Sequence, residues 1–178
     1  QKRLHDHGLE YELTQTERPW HAADLAARAA QDGFDVVVAA GGDGTSNEVL
    51  NGLMQARSQG GNRPVMAVLP IGRGNDFAFS MGAPVNLEAS IQALAARRTR
   101  TIDVGFVSGG DFPQGRYFGN GVGIGFDAVT GFEALKVPQI TGFVSYLLAA
   151  IRTVFIMKAP LVEIELDGET LEQASLLV

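Results

Sequence analysis

The sequence predicts a Rossmann-like, largely parallel α/β domain followed by an antiparallel β-rich unit. Apolar strand-like runs alternate with helical patterns up to about residue 100, the signature of strands joined by helical crossovers. Two of those runs end in glycine-dense turns, and a sheet of this kind takes ligands just beyond the carboxyl ends of its strands. From Thr101 onward the chain turns to glycine-punctuated strands and a hairpin signal. The expected division is therefore residues 1–100 and residues 101–178.

Each element has its own warrant. Residues 9–16, LEYELTQT, alternate and read as a strand. HAADLAARAAQDG, residues 21–33, reads as a helix, with Leu25 and Ala29 at i,i+4 spacing and a glycine stop. FDVVVAAG is a continuous apolar strand, as expected where both faces of a sheet are covered. SNEVLNGLMQARSQGG is a second helix, with Val49, Leu50, Leu53 and Met54 on one face. RPVMAVLPIG, residues 63–72, is the next buried strand, and residues 86–98 form a helix capped by Asn86. TIDVGFVS and RYFGNGVGIGF read as strands. After an apolar helix within residues 142–159, Asp167-Gly168 joins two further strands, residues 161–166 and 171–178.

Composition narrows the function classes. At 178 residues and 46% hydrophobic, the chain is long enough for a good-sized core. It has no cysteine, which excludes disulfides and thiolate metal sites. A net charge of −6 argues against nucleic acid as a partner. The basic cluster ARRTR, residues 96–100, falls where a helix ends and the helix dipole favours cations. Arg152 interrupts the most apolar stretch, so a buried or interface helix is expected there and no transmembrane segment.

The turn GGDGT sits between a strand and a helix. Glycines allow unusual backbone angles and close approach of a ligand to the main chain. Free N–H groups and the positive end of a helix dipole favour an anion. Asp43 adds a carboxylate, which suits a Mg²⁺–water shell or a ribose hydroxyl. Thr45 and Glu48 have the spacing of a capping box, which accounts for both without a ligand. It does not account for three glycines around an aspartate. A second turn, LPIGRGNDFA, places Gly72 and Gly74 at the end of the next strand, with Asn75 and Asp76 opening a short helix. Two such turns on neighbouring strands would form one crevice. No Gly-Lys pair exists, so there is no P-loop. GNGVGIGF lacks dinucleotide-motif spacing and a convincing following helix, and reads as a strand with close backbone packing. His5, His7 and His21 show no metal-ligand spacing.

GGDGTSNEVLNGL, LPIGRGNDFA, IDVG and FGNGVGIGFDA together resemble the diacylglycerol kinase catalytic-domain family, which includes bacterial soluble lipid kinases and the sphingosine and ceramide kinases, with NAD kinases as more distant relatives. The resemblance covers nearly the whole chain. It implies an ATP site between an α/β domain and a β-rich domain that receives the lipid. The matching nucleotide-binding positions are Gly41, Gly42, Asp43, Gly44, Thr45, Ser46 and Asn47 in the first turn, and Gly72, Arg73, Gly74, Asn75 and Asp76 in the second. Thr16 resembles a threonine that members place near the nucleotide, and Asp43 is the residue expected to organise Mg²⁺. Members often carry Thr or Ser where this chain has Arg73, which puts a hydroxyl contact to phosphate in doubt. The Asn-Pro-x-x-Gly-type loop with which members begin is absent. Asp167-Gly168-Glu169 matches the family's catalytic Asp-Gly-Glu segment in letters but falls on an early hairpin. Asp167 and Glu169 are therefore weak catalytic candidates, and the catalytic residues are expected outside this sequence.

The resemblance implies an ATP-dependent, Mg²⁺-requiring lipid kinase acting on a lipid hydroxyl, with diacylglycerol as the leading substrate. It would be a cytoplasmic protein peripheral to the membrane, and a homo-oligomer stays open. An NAD kinase-like enzyme and a non-catalytic nucleotide-binding regulator are the alternatives.

Overall fold

The computed structural model describes residues 2–110, 112–136, 143–176 and 178. They fall into two compact units, Gln1–Gly121 and Val122–Val178. The first unit runs α1 (Lys2–Asp6), α2 (His21–Gln31), β1 (Val36–Gly41), α3 (Asp43–Ser58), β2 (Val65–Pro70), α4 (Asp76–Ser80), α5 (Leu87–Ala95), β3 (Gly105–Gly109) and β4 (Phe112–Phe118). The second contains α6 (Phe126–Leu135), α7 (Phe143–Ile156), β5 (Leu161–Leu166) and β6 (Glu169–Ala174).

Helices α2 and α3 pack closely because the residues between them are small. Ala22, Ala23, Ala26 and Ala30 of α2 are buried. Gly52 of α3 lies against the backbone of Ala23: a Cβ there would overlap the Ala23 carbonyl oxygen and come within 2.8 Å of its carbon. The core beneath gathers Ala22, Ala26, Ala39 and Val49, with Val37, Leu53 and Met66 against it. Burying a side chain such as Val49 contributes about 1.5–3 kcal/mol. Glu48 adds a polar tie, accepting a hydrogen bond from Ala22 N at 3.1 Å and so satisfying an open donor at the start of α2.

β1 and β2 are parallel, with Val36 opposite Val65 and Gly41 opposite Pro70. This register brings the two glycine turns together, because both strands stop at the same level and their following turns emerge side by side. Val37 and Ala39 point toward the helices while Val36 and Val38 are exposed. The continuous apolar run of β1 is thus covered on one face among the described residues, where the sequence predicts cover on both. The strand predicted at residues 9–16 does not form: the segment is largely exposed and has no ladder partner among the described residues. Alternation marks a face that can be buried, but a strand needs a neighbour.

β3 and β4 form an antiparallel pair with a register shift between Val107 and Gly109. Side chains of α3 hold this hairpin. Asn51 Oδ1 accepts from Tyr117 N at 2.9 Å, and the amide nitrogens of Asn47 and Asn51 each donate to Tyr117 O at 3.0 Å. The hairpin therefore lies within the first compact unit, which runs to Gly121.

GNGVGIGF does not continue the strand, and in the second unit Phe126 opens α6, a helix the sequence reading missed. Thr130 of α6 and Thr153 of α7 are fully buried. Glu133 of α6 pairs with Arg152 of α7 at 3.0 Å and with Lys136 one turn on. On α7, Ala149 is buried but Val154 and Phe155 are exposed. β5 and β6 close through Asp167 and Gly168, at φ 51° and 86°, the left-handed pair that a two-residue hairpin turn requires.

Candidate functional site

The two glycine turns meet backbone to backbone. A Cβ on Gly72 would overlap Gly42 Cα, and one on Gly42 would lie 3.3 Å from Gly72 Cα. Ile71 N donates to Gly41 O at 3.3 Å across the ends of the strands. The two turns are thus in direct backbone contact. Part of their glycine content answers to this contact, since no side chain fits between the turns.

Asp43 joins the turns a second time: its Oδ1 accepts from Phe77 N at 2.8 Å, in the first turn of α4. A Cβ built on Gly74 would lie 3.0 Å from Asp43 Oδ2 and 3.4 Å from Asp76 Oδ2, so both carboxylates border Gly74. Asn75 is left-handed at φ 60° and closes its own turn. Its Oδ1 accepts from Gly72 N at 3.0 Å and its Nδ2 donates to Gly72 O at 2.9 Å. It occupies the N-cap position of α4 without a side-chain capping bond. Arg73, beside it, is exposed.

α3 starts earlier than the sequence predicts. Its N-cap is Gly42, at φ −94° and ψ −166°, and Asp43 is the first helical residue. The capping box of Thr45 and Glu48 therefore does not form. Thr45 lies inside the helix with its side chain against Gly41, where a Cβ would be 2.5 Å from Thr45 Oγ1. Glu48 serves α2 instead.

Gly44 is different from its neighbours. A Cβ there would meet nothing within 4 Å, and its φ lies outside the left-handed region. Neither packing nor backbone conformation calls for glycine. It stands in the first turn of a 16-residue helix, where N–H groups lack intrahelical partners and the dipole is positive.

The remaining expected residues are distributed unevenly. Ser46 is 1% exposed and faces the core. Asn47 uses its amide nitrogen on Tyr117 O and its Oδ1 on Arg116 Nε at 2.8 Å. Ser46 is thus buried and Asn47 is engaged with the β3–β4 hairpin. Thr16 is exposed in the extended segment before α2. Asp167 and Glu169 are exposed on the β5–β6 hairpin of the second unit. Among the described residues no cluster of three His, Asp or Glu side chains is placed to cage a metal.

Sequence reasoning missed Arg116 and Trp20. The Arg116 guanidinium carbon lies 4.7 Å from the Trp20 ring centroid and 5.2 Å from that of Phe112. Phe112 shares β4 with Arg116, but Trp20 lies 96 residues earlier in the chain, so no local pattern announces the contact. The nearest signal is a single arginine in the strand RYF.

Comparison with known proteins identifies the family. Residues 1–107, more than half of the chain, match the diacylglycerol kinase catalytic domain family. A diacylglycerol kinase of Staphylococcus saprophyticus is 31% identical over 176 residues, covering 98% of this chain and 54% of the relative. One from Staphylococcus aureus strain JH9 is also 31% identical, over 98% of this chain and 53% of the relative. A crystal structure of a diacylglycerol kinase from Bacillus anthracis str. Sterne is 25% identical with a TM-score of 0.69, covering 98% of this chain and 54% of that one. The chain spans about half the length of the curated relatives it matches. With a family match over most of the first unit, and the fold of that structure along nearly its whole length, this chain belongs to the diacylglycerol kinase catalytic domain family.

Proposed function

We propose that this chain carries the nucleotide-binding part of an ATP-dependent lipid kinase that phosphorylates a lipid hydroxyl, with diacylglycerol the leading substrate. The observation that carries the reading is Gly44: a glycine at a helix N-terminus that the fold itself does not require. The N–H groups of the first turn of α3 would hold phosphate oxygens, and the missing side chain would let them approach.

Asp43 fits a role beside a metal. One carboxylate oxygen is held by Phe77 N, which fixes the group, and the other borders Gly74. A single oriented carboxylate suits Mg²⁺, which keeps several waters and takes its other ligands from phosphates. The ion would neutralise charge on the transferring phosphoryl group. In the reaction, the lipid hydroxyl oxygen forms a bond to the γ-phosphorus. The bond from that phosphorus to the β,γ-bridging oxygen breaks, ADP leaves, and a general base takes the hydroxyl proton. Arg73, exposed on the second turn, would supply a cation to the phosphates. Thr16, Asn75 and Asp76 complete the proposed nucleotide site. Among the described residues no helix is long and apolar enough to cross a membrane, which is compatible with an enzyme that visits the membrane surface from the cytoplasm.

The test is a transfer assay on the full-length protein with labelled ATP, Mg²⁺ and a panel of diacylglycerol, sphingosine, ceramide, undecaprenol and NAD. Label on a lipid supports the reading and names the substrate. Label on NAD alone, or nucleotide binding without transfer, overturns it.

A further inference from the structure

Phe79, at 74% exposure, is the most exposed large apolar side chain of the first unit among the described residues. It stands in the last turn of α4, and Val85, on the link to α5, is exposed as well. Phe77 and Ala78 supply the buried face of α4, so the core does not need Phe79. Arg100 brings positive charge to the same place. Its Nη1 donates to Met81 O at 3.0 Å, at the C-cap of α4, where Gly82 N bonds back to Phe79 O at 2.9 Å. Arg97 and Arg98 precede Arg100 by three and two residues, which keeps their backbones within about 11 Å of it. All three arginines are exposed, and none pairs with a carboxylate among the described residues.

Arg97 stands where the fold would prefer glycine. Helix α5 ends in a Schellman turn: Arg98 N bonds Ala93 O at 3.1 Å and Arg97 N bonds Leu94 O at 3.0 Å. That turn holds Arg97 in the left-handed region at φ 50°, which glycine adopts without strain. Attraction to the helix dipole does not require a cation at this position, because the last turn itself would serve and holds no basic residue. Strain of this kind marks a side chain kept for something besides the fold. The chain carries a net charge of −6, yet three of its 14 lysines and arginines fall within residues 97–100, beside an exposed aromatic ring. A bilayer with anionic head groups complements both features. Resting on the reading above of an enzyme that works at a membrane, we infer that Phe79 with Arg97, Arg98 and Arg100 docks the protein on an anionic lipid surface. The ring enters the head-group region while the guanidinium groups meet lipid phosphates.

The test is sedimentation of the full-length protein with vesicles of phosphatidylcholine alone and of phosphatidylcholine mixed with phosphatidylglycerol. The wild type should bind the mixed vesicles roughly 10-fold or more tightly, and less so as salt rises. Arg97→Gly combined with Arg98→Gln should cost roughly 25-fold on mixed vesicles, at about five-fold for each charge near the surface. Phe79→Gln should cost roughly 5- to 10-fold there, for a ring only partly inserted. A wild type without preference for the mixed vesicles, or variants that bind them as the wild type does, overturns the inference. Arg97→Gly alone should unfold in urea at or above the wild-type midpoint. A lower midpoint would show that the arginine serves the fold, which also overturns it. Transfer to a water-soluble short-chain diacylglycerol separates docking from chemistry: the variants should match the wild type with that substrate, and a loss equal to the loss on vesicles overturns the docking role. A wild type that transfers label to no lipid overturns the kinase reading, and the vesicle affinities still decide the patch.

Discussion

Replacing Gly44 with alanine separates the fold's requirements from the ligand's. The added Cβ points into open space, and the backbone is already in a region alanine adopts freely. Alanine exceeds glycine in helix propensity by about 1 kcal/mol in a helix interior. The first turn realises only part of that, so Gly44→Ala should match the wild type in urea unfolding or exceed it by about 0.5 kcal/mol. The same methyl would stand where phosphate oxygens approach the first-turn N–H groups. Pushing a phosphate out of hydrogen-bonding distance of one amide costs about 1.5–3 kcal/mol, or roughly 10- to 150-fold in ADP affinity. Calorimetric ADP titration and urea unfolding of the same preparations give both quantities. A Gly44→Ala variant that binds ADP as well as the wild type would refute the assignment of Gly44 to a ligand. A variant that loses more than about 1 kcal/mol of stability would refute the claim that the fold does not need this glycine.

The other glycines and charges give different outcomes. Gly52→Ala drives a methyl into the Ala23 carbonyl; overpacking of about 1–3 kcal/mol, offset by up to about 1 kcal/mol of propensity, should leave a net loss near 1–2 kcal/mol by urea unfolding. Stability at or above wild type would show that α2 and α3 do not cross there. Asp43→Asn keeps an acceptor for Phe77 N but removes the charge, so metal-free ADP should bind more tightly and Mg-ADP more weakly, each by roughly 1–3 kcal/mol before screening. Unchanged affinity for both forms would exclude Asp43 from the metal's surroundings. The hydrogen bond from Lys136 holds the Glu133 carboxyl below its ordinary value of 4.5, with the charges of Lys136 and Arg152 acting the same way against burial. A depressed carboxylate stabilises the folded state fully above its unfolded value and loses that contribution as pH falls through the lower folded value. Acid unfolding monitored in Glu133→Gln should lack this component, and an acid transition identical to wild type would refute it.

The α/β order of the first unit was legible because its signals are local. The alanine face of α2, the apolar runs of β1 and β2, and Asn86 capping α5 through Glu88 N and Ala89 N can each be read within a dozen residues. Long-range placement was not. Residues 9–16 alternate like a strand but find no neighbour, and β3–β4 joins the first unit because two asparagines of α3 bond Tyr117, more than 60 residues away. Glu48 misled for a related reason. Its spacing from Thr45 suits a capping box, but the extended backbone at Gly42 starts the helix at Asp43 and frees Glu48 to serve another helix.

The site divides along the same line. Both glycine turns could be seen in the sequence, and the parallel register of β1 and β2 brings them together. What the letters could not convey is that the glycines do different things. Gly42 and Gly72 are small so that the two turns can touch, and Gly74 so that two carboxylates can stand beside it. Gly44 alone among the three glycines of GGDGT has neither a close neighbour nor an unusual conformation to explain it. A motif glycine becomes informative about a ligand only after the space around it is known, and the same holds for charge. Arg116 is one arginine among many until the rings of Trp20 and Phe112 are seen against it. Candidate functional residues of this kind are recognised by what the fold leaves unexplained, which is why the structure adds to the proposed site even where the sequence already names its turns.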